Sequence, residues 1–221
     1  MLKQVIAAYN EAVFDTDRAR ALEVIRGAVD EGISPEDIVF KVVVPGIEAM
    51  MKAISEDFDA NLAQHFMTAQ IALQVTEEMN PRFATPPEIV GRVVLGTAKY
   101  DLHSLGKRIV SGCLRSLMIE VVDLGVNVDA VRFVDEAVAH NAEVIGISAM
   151  MMHTADGPEG CRRVRRILQE RGLEQRIRIV VGGAPFRYDP ELWHTVGADG
   201  WAPDGITAGR VITDLVRGVR S

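Results

Sequence analysis

The sequence has few of the features that mark several large classes of protein. Only two of its 221 residues are cysteines, Cys113 and Cys161, so a disulfide framework is excluded and a reducing compartment is expected. No apolar run is long enough to span a bilayer, and Met1–Val5 is not followed by the apolar core of a signal peptide. These absences predict a cytoplasmic protein without a membrane partner.

Basic and aromatic residues are also scarce. Lys and Arg number 24 against 31 Asp and Glu, which gives a formal charge of −7, and aromatic residues make up 5% of the chain. Nucleic-acid binding relies on clustered positive charge and, for RNA, on aromatic stacking. The one basic cluster, from Arg162 to Arg178, has helical spacing and is typical of a solvated helix face. We therefore expect no nucleic-acid partner.

What remains is the composition of a globular protein, and its first half has the apolar spacing of helices. Residues 1–80 contain four segments in which apolar side chains recur every three or four positions. The clearest start signal is Ser34–Asp37, with a hydroxyl cap, a proline and two acids. Pro45 predicts a kink or break, Asp59 can cap the fourth segment, and Asn80-Pro81 ends it. These segments predict a four-helix bundle.

The second half has a different period. Pro81–Pro87 holds three prolines in seven residues, so residues 81–90 are interpreted as a linker. From residue 91 to residue 221, short apolar runs alternate with amphipathic segments, which predicts right-handed crossovers and a doubly wound parallel sheet. The predicted strands are Arg92–Thr97, Ile119–Leu124, Val144–Ile147, Ile177–Val181 and Gly200–Trp201.

Three loops of this sheet carry residues suited to ligand chemistry. Ligands of doubly wound sheets bind beyond the carboxyl ends of the strands, so Asp101–Gly106, Ser148–Thr154 and Gly182–Ala184 are expected on one rim. In the first loop, His103 can be a metal ligand or an acid–base group. Asp101, two residues earlier, can hold the other nitrogen of that ring.

Each loop taken alone also has a purely structural interpretation. Asp-x-His pairs arise by chance, the methionines after Ser148 can simply pack, and Gly182-Gly183 can form an ordinary tight turn. The functional alternative is a slot, because the missing side chains of Gly106 and of the glycine pair permit close passage of a ligand. The combination of the three loops is more specific than any one of them.

Together the loops resemble the cobalamin-binding signature: an Asp-x-His-x-x-Gly motif, a Ser-x-Leu-like motif and a Gly-Gly pair on a flavodoxin-like sheet. The separation of 47 residues from Asp101 to Ser148 is similar to the spacing in that family. The helical half resembles the bundle that precedes this domain in methionine synthase and in the methanol and methylamine corrinoid proteins. Further stretches that resemble corrinoid proteins of methyltransferase systems are Lys107–Val110, Val122–Val128 and Gly197–Asp204.

The resemblance implies an α/β architecture with a helical cap. The cap would occupy residues 1–80, and a cobalamin-binding, Rossmann-like domain with a five-stranded doubly wound parallel sheet would occupy residues 91–221. His103 would displace the dimethylbenzimidazole of the cofactor and bind cobalt from below, as the lower axial ligand. Asp101 would be the hydrogen-bond partner of that ring, and Thr154 the hydroxyl that continues the relay.

The resemblance also implies a slot for the released nucleotide tail of methylcobalamin or hydroxocobalamin. Residues expected to bind the cofactor there, besides Asp101, His103 and Thr154, are Ser104, Leu105, Gly106, Ser148, Met150, Met152, Gly182, Gly183, Ala184, Gly200 and Ala202. Met150 stands where the family usually has leucine, a mild exchange. Met152 stands where a threonine is common, which puts one polar contact in question. Whether His65 or His153 contacts the cofactor is left open.

The implied function is that of a methyl-carrying corrinoid subunit, itself non-catalytic within a methyltransferase complex. Such a protein cycles between Co(I) and methyl-Co(III) while it serves a substrate-specific corrinoid methyltransferase and a second methyltransferase. The helical half would cover the upper face of the cofactor and swing away for transfer. Two alternatives remain: a corrinoid-binding light or redox regulator that acts through a partner protein, and the small subunit of a carbon-skeleton mutase, which resembles only the second half.

Overall fold

The computed structural model describes residues 1–56 and 62–220, and these divide into two units. Residues Met1–Glu88 and Arg115–Met118 form the first, which we call the helical unit. The segment Ile89–Leu114 and the chain from Ile119 onward form the second, which we call the sheet unit. No helix in the described part of the chain combines the length and the apolar character that are needed to cross a membrane.

Amphipathic helices build the helical unit, as the apolar spacing predicts. Their bounds are α1 Leu2–Phe14, α2 Arg18–Asp30, α3 Pro35–Asp37, α4 Val44–Glu56 and α5 Leu62–Met79, followed by a 3-10 turn at Asn80–Arg82. Two starts are capped by side chains: Asp17 accepts the N–H of Arg20 at 3.0 Å, and Ser34 accepts the N–H of Asp37 at 3.1 Å. The proposed cap Asp59 lies outside the described residues.

Pro45 does not break its helix. The six residues before α4, Ile38–Val43, form a π-helix that joins α3 to α4. Proline lacks the N–H for the usual bond to the carbonyl four residues earlier, and its ring crowds that carbonyl. The widened turn, in which the N–H of Val44 bonds the carbonyl of Val39, changes the bonding pattern just before the ring. A π-helical stretch therefore stands where the sequence predicts a kink or break.

The sheet unit contains a five-stranded parallel sheet, as predicted. Its strands are β1 Gly91–Thr97, β2 Ile119–Asp123, β3 Val144–Ser148, β4 Arg178–Gly182 and β5 Gly200–Trp201, in the order β2-β1-β3-β4-β5. This is the flavodoxin-like doubly wound order, with its switch point between β1 and β3. The helices of this part of the chain are α6 Leu105–Ser116, α7 Ala130–Ala139, α8 Met152–Asp156, α9 Cys161–Glu170, α10 Ala184–Tyr188, α11 Leu192–Thr195 and α12 Gly205–Arg220.

Helices pack closely on both faces of β1, and glycines make the approach possible. A Cβ added at Gly96 would lie 2.7 Å from the ring of Phe133 on α7, and one added at Gly91 would lie 2.6 Å from Val216 on α12. Because these glycines are five residues apart on a strand, they face opposite sides of the sheet. With both faces covered, the strands are almost continuously apolar.

The arginines of the basic cluster are largely paired with acids of the same unit. Arg162 pairs with Asp156 and Arg163 with Glu159, while Arg171 contacts Asp135. Arg165 bonds both the carboxylate of Asp199 and the carbonyl of Gly197. This pairing agrees with the interpretation of the cluster as a solvated helix face.

Candidate functional site

The three loops singled out in the sequence begin side by side at the carboxyl end of the sheet. In the register of the strands, Thr97 lies opposite Ser148, and Ser148 lies opposite Gly182. The next residues continue the ladder, since Ala98 donates to the carbonyl of Ser148 and Ala149 donates to the carbonyl of Gly182, each at 2.9 Å. The predicted rim is therefore present in the sheet unit.

Asp101 is the centre of a hydrogen-bond network that joins the first loop to the second. Its side chain is completely buried. Oδ1 accepts the backbone N–H of His103 at 2.9 Å and lies 2.8 Å from Nδ1 of the His103 ring. Oδ2 accepts the backbone N–H of Met150 at 2.6 Å and lies 3.1 Å from Oγ1 of Thr154. Asp101 thus contacts the ring of His103 directly, and Thr154 is connected to that ring only through Asp101.

These contacts keep the carboxyl group of Asp101 ionised. Burial by itself would raise the pKa of Asp101. The backbone N–H groups of Met150 and His103, the His103 ring and the Thr154 hydroxyl all bond the charged form, and together they hold the pKa below its ordinary value of 3.8. Since the carboxylate only accepts at neutral pH, Nδ1 of His103 must carry the proton of that contact.

In the neutral ring, a proton on Nδ1 places the lone pair of His103 on Nε2. This atom has no hydrogen-bond partner among residues 1–56 and 62–220, and 58% of the side chain is exposed. A neutral imidazole whose far nitrogen bonds a carboxylate is the usual form of a histidine metal ligand. The arrangement can therefore donate one nitrogen to a metal presented from outside the protein.

Thr154 is buried on the short helix α8, and its single hydroxyl proton has two acceptors within reach. Oγ1 lies 2.8 Å from the carbonyl of Met151 and 3.1 Å from Oδ2 of Asp101. The first contact closes the start of α8, and the second completes the chain from Thr154 through Asp101 to His103. The hydroxyl is thus placed to adjust how much negative charge Asp101 presents to the ring.

The glycines of the rim differ in what their missing side chains do. A Cβ added at Gly106 would meet nothing within 4 Å, so space is open at the start of α6. Gly183 has φ +119°, and a Cβ there would lie 1.9 Å from the carbonyl oxygen of Ala149. A Cβ at Gly182 would lie 3.1 Å from the carbonyl of Ala202. Gly200, in contrast, packs against Val211 of α12, where a Cβ would come within 2.8 Å.

Large apolar side chains are exposed along the residues around His103. Leu102 is 71% exposed, Tyr100 63% and Met152 48%, and Leu105 and Met150 are more than a third exposed. Apolar groups left in water at one rim are typical of a ligand-binding face. Ser104 and Ala184 are exposed on the same loops, Ser148 is half-buried and Ala202 is buried.

The two histidines whose contact with the cofactor the sequence left open, His153 and His65, belong to different units. His153 is exposed on α8, directly before Thr154. His65 is half-buried on α5 and belongs to the helical unit. Among the described residues, no group of three or more His, Cys, Asp or Glu side chains could hold a metal ion by itself.

Two further residues, which no motif of the sequence indicates, support the site. Thr97 donates its hydroxyl to the carbonyl of His103 at 3.1 Å, and Asn127 bonds both Tyr100 and Asp101. Thr97 ends β1 as a buried polar residue, and Asn127 interrupts an apolar run after β2. The signals that the sequence offers are a threonine at the end of the first apolar run and an asparagine between two valines.

Comparison with known protein families gives one match that covers more than half of the chain. The model of the B12 binding domain matches residues 91–208. Trimethylamine corrinoid protein 1 of Methanosarcina acetivorans is 31% identical over 227 aligned positions, which cover 99% of this chain and 97% of that protein. Dimethylamine corrinoid protein of Methanosarcina barkeri is 30% identical, over 93% of this chain and 94% of its own.

Solved structures share the fold over almost the full length. A cobalamin-binding protein from Desulfitobacterium hafniense superposes with a TM-score of 0.75 at 20% identity, covering 95% of this chain and 98% of its own. A chain of the methanol:cobalamin methyltransferase complex of Methanosarcina barkeri gives a TM-score of 0.73 at 22% identity, covering 97% of this chain and 80% of its own.

Proposed function

From the premise that this chain belongs to the B12-binding corrinoid protein family, we propose that it is a corrinoid-binding methyl carrier of a methyltransferase system. The observation that carries the proposal is the ring of His103, held 2.8 Å from the buried carboxylate of Asp101 at the carboxyl end of the sheet. Relatives of nearly full length, named for trimethylamine and dimethylamine, support the methyltransferase setting.

The residues present fit a corrinoid. His103 would bind cobalt through Nε2, and the bond to Asp101 would make it a stronger donor. The nucleotide tail would lie past Gly106, where space is open, and past Gly182-Gly183, where the backbone comes close without side chains. The exposed apolar side chains of the rim suit the large face of a macrocycle.

When bound, the corrinoid would supply the transfer chemistry: its Co(I) would accept a methyl cation to give methyl-Co(III), and passing that methyl cation to an acceptor would restore Co(I). The protein supplies ligation and its adjustment. Asp101 holds His103 in one tautomer and one orientation, and the charge on this carboxylate sets how strongly the ring donates. Thr154 shares its hydroxyl proton with Asp101, so it moderates that charge.

The partners of such a carrier would be two enzymes. A substrate-specific corrinoid methyltransferase would load the methyl group, and a second methyltransferase would pass it to an acceptor. The chain would then be the non-catalytic subunit, and the choice of methyl donor would lie with the first enzyme.

The test is reconstitution of the purified protein with hydroxocobalamin, followed by reduction and methylation. We expect the cofactor to stay with the protein through gel filtration and the Co(II) form to show nitrogen ligation in electron paramagnetic resonance. We further expect protein-bound methylcobalamin to lose its methyl group when a second methyltransferase and a thiol are added. A light-dependent spectral change without transfer would favour the regulator, and loss of the cofactor on the column would contradict both functions.

A further inference from the structure

The loop that carries His103 is held by the segment that follows β2. The backbone N–H of Asn127 donates to the carbonyl of Asp101 at 3.0 Å. The side-chain oxygen of Asn127 accepts the backbone N–H of Tyr100 at 2.9 Å. Asn127 thus bonds the main-chain groups of two consecutive residues of the loop. The carboxylate of Asp101 takes no part in these bonds and remains available to His103.

Tyr100 has a backbone conformation that its residue type rarely adopts. Its φ is +66°, in the left-handed region that favours glycine and asparagine, while Asn127 at +54° is well suited to the same region. Burial of the ring does not offset this strain, because Tyr100 is 63% exposed. The bonds around it must do so, and the bond from its own N–H ends on Asn127.

The conformation of Tyr100 determines the direction of the next residue. The N–H of Asp101 returns to the carbonyl of Ala98 at 3.1 Å, so Ala98–Asp101 is a closed turn with Tyr100 near its tip. Beyond the turn, the carbonyl of His103 is fixed by the hydroxyl of Thr97. If the backbone of Tyr100 left the left-handed conformation, Asp101 would therefore rotate away from both His103 and the second loop.

We propose that Asn127 is a positioning residue for cobalt ligation: it keeps Tyr100 in the left-handed conformation and so aligns the Asp101–His103 pair with the metal. The statement about cobalt rests on the proposed function. The statement about the loop does not, because the bonds of Asn127 join groups of this chain alone.

Two substitutions at Asn127 and one matched control test the proposal. Asn127→Gly tolerates the positive φ but removes the oxygen that holds Tyr100, whereas Asn127→Asp keeps an oxygen at that place. Asn141 is the control, because it too has a positive φ, +51°, and a side chain that accepts a bond, from Arg176 at 3.1 Å. It precedes β3 and so lies at the amino end of the strands, whereas the rim lies at their carboxyl end.

The first measurement is amide hydrogen exchange of the protein without cofactor. In Asn127→Gly we expect the amides of Tyr100 and His103 to exchange about tenfold faster than in the wild type, while the amides of β3 and β4 keep their rates. Asn127→Asp and Asn141→Gly should retain wild-type exchange at both positions. Unchanged exchange at His103 in Asn127→Gly would overturn the proposal.

The second measurement uses the same proteins loaded with cob(II)alamin and labelled with nitrogen-15 histidine. In Asn127→Gly the ratio of histidine-bound to histidine-free cobalt should fall about tenfold, as is typical for residues that orient a metal ligand, and Asn127→Asp should restore it. A wild-type ratio in Asn127→Gly would overturn the positioning role. Absence of histidine nitrogen in the wild type itself would instead count against the proposed function.

Discussion

Asp101 combines three roles in one carboxylate, and this concentration makes it the most sensitive residue of the site. It fixes the tautomer of His103, ties the first loop to the backbone of Met150, and shares the hydroxyl proton of Thr154. Each oxygen faces two donors, so the group can be replaced only by another that accepts on both sides.

The first prediction concerns Asp101→Asn. The amide has the same shape but replaces one accepting oxygen by a donor, so a buried donor would face a donor on one side. We expect the free energy of unfolding without cofactor to fall by about 1–3 kcal/mol and cobalamin affinity to fall roughly ten- to hundredfold. Urea titration and equilibrium dialysis measure the two effects.

The control is Asp129→Asn, the same change at a side chain that is 58% exposed and pairs with Lys99. It should alter stability by less than about 1 kcal/mol and leave cobalamin affinity unchanged. Equal losses in both variants would mean that the network around Asp101 adds nothing beyond an ordinary ion pair.

The second prediction concerns how the difference in unfolding free energy between the wild type and Asp101→Asn depends on pH. The pKa of Asp101 is lower in the folded protein than its ordinary value of 3.8, so the unfolded chain binds the proton first as the pH falls. The stability contributed by the charged form is complete above about pH 5 and is lost as the pH drops through the folded pKa. The gap in unfolding free energy between wild type and Asp101→Asn should therefore narrow below about pH 4. A gap that stays constant to pH 3 would contradict a carboxylate with a lowered pKa.

At the level of elements, the strands and most of the helices could be predicted from the sequence, whereas two five-residue helices could not. The five strands follow from apolar runs separated by amphipathic segments, and their flavodoxin-like order follows from the resemblance to the cobalamin-binding signature. Helices α8 and α10 were missed because five residues make less than two turns and show no period. The residues of the site also divide into two kinds. Asp101, His103 and Thr154 belong to a recognisable pattern, whereas Asn127 acts through bonds to backbone groups and through a positive φ, which no pattern of side chains reveals.

The third prediction separates two glycines of the rim by what they support. Gly183→Ala would require a Cβ 1.9 Å from the carbonyl oxygen of Ala149 at φ +119°, so the turn between β4 and α10 must move. We expect a loss of about 3 kcal/mol or more of unfolding free energy without cofactor. Gly106→Ala has open space and lies at the start of α6, so its stability should be unchanged or slightly raised.

Cobalamin binding, unlike stability, should be weakened by Gly106→Ala. If the nucleotide tail passes the start of α6, the added methyl group of Gly106→Ala would occupy its path and weaken binding severalfold in equilibrium dialysis. Wild-type affinity in this well-folded variant would remove Gly106 from the slot, while leaving the turn at Gly183 as a purely structural requirement.

At the level of the whole molecule, the chain divides into two units, and the proposed cofactor site lies in the same unit as the tryptophans that report its folding. All the residues that are proposed to bind the corrinoid lie in the sheet unit, from Asp101 to Ala202. Both tryptophans of the sequence, Trp193 and Trp201, lie there too and pack against the core of that unit. Their fluorescence therefore reports the unfolding of the unit that would hold the ligand.

The last prediction uses this reporter with two histidine variants. A ligand that binds only the folded state stabilises it by mass action, about 2.7 kcal/mol when its free concentration is a hundred times Kd. Hydroxocobalamin should thus raise the urea midpoint read from the wavelength of tryptophan emission, and the same rise should occur in His153→Ala, because His153 is exposed on α8 and has no part in the Asp101 network. His103→Ala, which removes the proposed cobalt ligand from the same rim, should show a much smaller rise at the same concentration and no histidine nitrogen signal. Equal stabilisation of all three proteins would mean that the corrinoid is held without His103, and a loss in His153→Ala alone would move the cobalt ligand to α8.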